Sequence, residues 1–98
     1  MSQARFLEEA EAEFLLEVQY YANVQTDGAT KFRAAVEEAT ARASAIPLAD
    51  LNYLMKTRRV FVNGYPFFLV YRPEETGVVV FAVVHESRRP GYWKARAR

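Results

Sequence analysis

Apolar residues return every three or four positions at Leu7, Ala10, Phe14, Val18 and Tyr21, which predicts a helix with one buried face. Glu9, Glu13 and Glu17 form a second row along it. Like charges at this spacing weaken an isolated helix by a few tenths of a kcal/mol per pair, so tertiary burial must hold it, with the acidic row solvated. The same periodicity runs through Ala29, Phe32, Val36, Ala39, Ala43 and Ile46, and Pro47 closes this second helix. Between them, Asn23 to Gly28 has the polar composition of a short loop, which makes the pair an antiparallel hairpin.

After an irregular stretch, Leu48 to Thr57, the period shortens. Val60 to Val62, Phe67 to Tyr71 and Val78 to Val84 are rich in β-branched and aromatic residues, with turn signals at Asn63-Gly64 and Pro73 to Gly77. This predicts a three-strand antiparallel meander, its middle strand starting no earlier than Pro66, which has no N–H to donate. At the N-terminus, Ser2 suits a helix cap and Arg5-Phe6-Leu7 suits a short strand, and local pattern leaves both open.

The strands are apolar at nearly every position. Phe68 and Val70 face one side of the predicted sheet, and Phe67, Leu69 and Tyr71 the other. Two helices cover only one face. The second requires Leu48 to Met55 together with Gly91 to Arg98, a second copy of the chain, or another protein.

Composition narrows the class. The 98 residues, 51% apolar and 26% charged, suit one soluble globular domain spanning 1–98. No apolar run approaches a membrane span, and Glu8, Glu9, Glu11 and Glu13 are unlike a signal peptide, so a cytoplasmic protein without membrane association is expected. The absence of cysteine excludes disulfides and thiolate chemistry, and His85 is the single histidine, so neither a metal nor a cofactor is expected. Charge is split along the chain. Residues 1–50 carry four basic and nine acidic side chains, and residues 51–98 nine basic and three acidic. A basic C-terminal half suits an acidic partner, unless the halves pair with each other.

Taken in order, E-A-E-A-E-F (Glu9 to Phe14), Tyr20-Tyr21, K-F-R-A-A-V (Lys31 to Val36), Ile46-Pro47 and Arg58-Arg59 are followed by two longer pieces, Gly64 to Arg72 and Val78 to Trp93. Over essentially the whole chain this series resembles the RelE/ParE superfamily of bacterial toxins. The resemblance implies an α+β fold with a short N-terminal strand over Gln3 to Leu7, a two-helix hairpin and the three-strand meander. It also implies the toxin of a type II toxin–antitoxin pair, neutralised by a cognate antitoxin protein bound across helices and sheet, with Phe67, Leu69 and Tyr71 as contacts and a hetero-oligomer as product.

The family divides between inhibitors of DNA gyrase and ribosome-dependent mRNA endonucleases. Metal-free RNA cleavage needs proton-transfer groups and cations around the phosphate. Arg88 and Tyr92 approximate the C-terminal arginine and tyrosine of the nucleases. Their strand arginine, however, aligns with Phe68, and the preceding loop offers only Lys56. The expectation is therefore a ParE-like gyrase inhibitor, with the RelE-like endonuclease as alternative and an inactive homologue as a third reading. In the nuclease reading the catalytic candidates are His85, Arg88 and Tyr92, although a histidine at a strand end also bonds locally. Target contacts are expected from Arg58, Arg59, Arg72, Arg88, Arg89, Trp93 and Lys94, with Arg96 and Arg98 adding charge. Arg58 and Arg59 point to opposite faces if in a strand, and Tyr92-Trp93 either stack on a target or anchor the chain end.

Overall fold

The computed structural model describes residues 4–46 and 52–98. Strand β1 (Ala4–Phe6) leads into helices α1 (Glu8–Val24) and α2 (Gly28–Ala45), followed by β2 (Asn52–Tyr53), β3 (Thr57–Val62), β4 (Phe67–Glu74) and β5 (Gly77–His85). The strands form one mixed sheet in the order β1-β5-β4-β3-β2, with β1 parallel to β5 and all other neighbours antiparallel. The class is α+β, with the helix pair and the meander where the periodicity put them. A fifth strand, β2, is a correction: it lies in the stretch read as irregular, and two residues are too few to show a period. Gln3, Pro47 and the start of the expected Leu48 to Met55 cover fall outside the described residues.

The strand reading of the N-terminus holds over Ala4–Phe6, and α1 begins only at Glu8, so no helix runs through Arg5 to Leu7; Ser2, the expected cap, lies outside the described residues. The Leu7 N–H donates to the Val80 carbonyl (3.0 Å), ending the β1–β5 ladder, and the Leu7 carbonyl accepts from the Glu11 N–H (2.9 Å), opening α1. No side chain caps this helix, but Glu8, Glu9 and Glu11 place negative charge on its first turn, where the helix dipole favours it. α1 runs three residues past Tyr21, so the linker to α2 shrinks to 25–27. Asp27 adopts a left-handed backbone (φ 56°) there. Gly28 is buried, and a Cβ at this position would lie 1.9 Å from the Tyr21 carbonyl oxygen. Only glycine lets α2 start this close to the end of α1.

Two apolar layers result. Between helices and sheet, Ala10, Val18, Phe32, Val36 and Ala39 meet Val60, Val62, Phe67, Leu69, Tyr71 and Val80. Phe32 is the hub, with ring centroids 5.0 Å from Tyr21, 5.1 Å from Tyr65 and 5.7 Å from Phe67. The alanines of α2 bring its backbone near the sheet, and Phe32 supplies the volume. On the opposite face Phe68, Val70, Val79, Phe81, Ala82 and Val84 are covered by Trp93 and Ala97, with Tyr53 and Tyr92 at the margin. The second apolar face is thus covered mainly by the chain's own C-terminal segment.

A β-bulge creates the space for this cover. Val70 pairs with Ala82 and Tyr71 with Val80, leaving Phe81 unmatched, so Phe81 and Ala82 both turn toward the second layer. Pro73 pairs with Val78 beyond the end of the β3–β4 ladder, where its missing N–H faces no strand. Among the described residues no helix is long and apolar enough to cross a membrane.

Candidate functional site

The basic C-terminal part of the chain comes together over the second face and along the free edge of β5. β1 covers that edge only as far as Val80, and beyond it side chains replace the missing strand. Glu13, reaching from α1, accepts from the Val83 N–H (3.0 Å), from the Tyr92 hydroxyl (2.6 Å) and from Arg96 Nη1 (3.0 Å). The same Arg96 Nη1 donates to the Phe81 carbonyl (3.1 Å). Glu13 and Arg96 side chains are each only 18% exposed, so this pair is weakly screened and holds the C-terminal segment against α1 and β5.

Burial, reinforced by the hydrogen bond to Glu13 and by its charge, raises the Tyr92 pKa well above that of an ordinary phenol, and nearby Arg88 and Arg96 oppose this only in part. The Tyr92 hydroxyl therefore keeps its proton at neutral pH and spends it on Glu13. The Arg88 guanidinium lies 4.2 Å from the Tyr92 ring centroid while Arg88 itself remains exposed. His85 closes β5 with its ring edge-on to Phe67 at 5.0 Å, and its Nδ1 accepts from the Ser87 N–H (3.0 Å) with the Ser87 hydroxyl 2.7 Å away. This is the local bonding of a strand-end histidine. Of the three catalytic candidates, Arg88 and Tyr92 are brought together, and the available proton of Tyr92 is committed to a structural bond.

The remaining candidates separate by role. Arg88, Arg89 and Lys94 are exposed along the turn after β5 and the final helical turn, as a target-facing surface requires. Arg72 is a clamp: its Nη2 donates to the Met55 carbonyl and to the Ala97 carbonyl (3.1 Å), tying together the two segments that flank the second layer. Trp93 is fully buried, so it anchors the chain end and offers no stacking surface. Arg96 is also removed from the target-facing set by its bonds to Glu13 and Phe81. Phe67, Leu69 and Tyr71 lie in the core beneath the helices, 2% exposed or less, and present no surface to an antitoxin. Their strand alternation was legible, but which side the helices would occupy was not.

Arg58 and Arg59 do take opposite faces. Arg58 pairs with Tyr71 in the ladder, and Arg59 stands on the second face with its guanidinium 4.4 Å from the Tyr53 ring centroid. Glu13 is the residue that sequence reasoning missed, because nothing local distinguishes it from Glu9 and Glu17. Among the described residues no cluster of three or more metal-ligating side chains forms. Neither a protein-family model nor a curated protein sequence matches this chain.

Proposed function

We propose that the chain is the toxin of a type II toxin–antitoxin pair, acting as a ParE-like, non-catalytic inhibitor of DNA gyrase and neutralised by a small partner protein. The resemblance of the motif series to RelE/ParE toxins supports the family, and the strand, helix hairpin and meander follow in the order that family implies. One observation carries the choice of mechanism: the Tyr92 hydroxyl, one of the two proton-transfer candidates, is held by Glu13 with its pKa raised. General acid–base catalysis works best with a group titrating near the working pH, and this phenol is far from it. Inhibition by binding needs only a charged surface, which exposed Arg88, Arg89 and Lys94 supply.

For the neutralising partner, exposed apolar side chains on α1 offer one surface: Leu16, Tyr20 and Val24, at four-residue intervals, are 66%, 55% and 57% exposed. The RelE-like alternative keeps one observation in its favour, the Arg88–Tyr92 contact. Induced expression in a bacterial host separates the two. Filamentation and DNA breaks, with purified protein blocking supercoiling by gyrase, are expected. Abrupt loss of translation with messenger RNA cut on ribosomes would replace this reading by the nuclease.

A further inference from the structure

Arg59, on the second face beside Tyr53 and Phe68, is held by contacts other than ion pairs. Among the described residues no carboxylate pairs with half-buried Arg59, and its buried Nε has no hydrogen-bond partner. Rings hold it instead. Its guanidinium carbon lies 4.4 Å from the centroid of Tyr53, 5.3 Å from Phe68 and 5.5 Å from Phe61. Phe61 follows two residues along the same face of β3 and is 42% exposed, whereas Phe68 beside it, 5.8 Å between centroids, is buried. Leu54 and Met55, directly after Tyr53, are exposed as well.

An arginine normally loses side-chain freedom when it meets a ligand. Here aromatic contacts have already restricted it, so much of that cost is met before binding, and since only Nε of its nitrogens is buried without a partner, the terminal Nη pair is the part of the fork left to meet an anion. We propose that Arg59, with Tyr53 and Phe61, forms a docking site for an acidic peptide segment, placing a carboxylate on the guanidinium and a neighbouring apolar side chain on Phe61. Charge complementarity selects this occupant. Lys56 is exposed nearby in sequence, and Glu38, the carboxylate beside the Phe61 backbone, is already neutralised by Arg42 at 2.6 Å. A second copy meeting this face symmetrically would set Arg59 against Arg59. A nucleic-acid strand needs a track of cations for successive phosphates, and this site has a single arginine fork among apolar rings. Arginine and tyrosine, both present here, are among the residues that concentrate binding energy at protein interfaces.

The inference is independent of the toxin reading, and purified full-length chain tests it. Trp93, the only tryptophan, lies 5.7 Å from Tyr53 between ring centroids and makes its fluorescence a local reporter, with amide shifts in β3 as a second readout. The probes are a short synthetic peptide alternating Glu with Leu, the same peptide with Gln for Glu, and a thymidine oligonucleotide of equal length. Saturable binding of the Glu peptide is expected, at least about tenfold tighter than the Gln peptide, with shifts centred on Arg59 and Phe61. Arg59→Gln and Phe61→Ala should each weaken it by about tenfold. Arg59→Lys should also weaken it, because lysine keeps the charge and loses the fork. Equal affinity for the two peptides, undiminished binding to folded Arg59→Gln protein, no binding of either peptide, or tighter Arg59-dependent binding of the oligonucleotide would each overturn the proposal. If Arg59→Gln does not fold, the comparison of the two peptides on the native chain decides.

Discussion

Tyr92 shows how far one hydroxyl in this chain is structural. Its removal in Tyr92→Phe should cost about 1.5–3 kcal/mol, the usual range for a hydrogen bond to a charged acceptor, and leave toxicity in the expression assay largely intact. Cleavage of messenger RNA by the parent chain that Tyr92→Phe abolishes would make the hydroxyl catalytic. The raised pKa adds a pH signature. In the unfolded chain the phenol ionises at about 10, while the native one keeps its proton, so the unfolded state binds fewer protons above that pH. Stability contributed by Tyr92 is therefore complete below about pH 10 and is lost as pH rises past it. Melting temperatures measured at about pH 8 and about pH 11 should differ less in Tyr92→Phe than in the parent. An unchanged difference would remove Tyr92 from the alkaline transition.

At the level of elements, two junctions organise the fold. The α1–α2 hairpin closes on Gly28, where a methyl group would collide with the Tyr21 carbonyl. Gly28→Ala should destabilise by about 1–3 kcal/mol in a denaturant titration, the range for overpacking a closed site. The second junction joins the C-terminal segment to the sheet through Trp93. Trp93→Ala should cost about 3–5 kcal/mol and, by loosening the segment that covers Phe68, Phe81 and Val84, promote self-association visible by light scattering. A monomeric Trp93→Ala variant of parental stability would show that the second layer does not need its cover. That the second face needs a cover was legible because the strands are apolar on both faces; that Gly91 to Arg98 supplies it, rather than a second copy or another protein, was not. Nor was the clamp made by Arg72, since a carbonyl acceptor has no sequence signature.

For the whole molecule, the charge split noted along the chain is partly resolved within the fold. Glu13 of the acidic half and Arg96 of the basic half pair across 83 residues, whereas the Arg5–Glu74 pair joins a base of the first half to an acid of the second and does not reduce the split. Among the described residues, Arg88 and Arg89 on the turn after β5 are exposed and stand in no salt bridge. Replacing both with alanine should change stability by less than about 0.5 kcal/mol, because exposed charges contribute little, while reducing toxicity on induction. A soluble double variant of full toxicity would place the target-facing surface elsewhere.

The helices, the meander and the two-faced apolar character of the strands were determined by the sequence itself, because periodicity of 3.6 or 2 is a local property written into consecutive residues. Three further features were decided only by tertiary structure. The side of the sheet that receives the helices turned Phe67, Leu69 and Tyr71 from expected contacts into core. The bulge at Phe81 opened room for the C-terminal cover, and the uncovered edge of β5 recruited Glu13 from α1. The last depends on a Val83 N–H left without a strand partner, a deficit that exists only once the chain has folded, and the other two depend on how elements distant in sequence pack and pair.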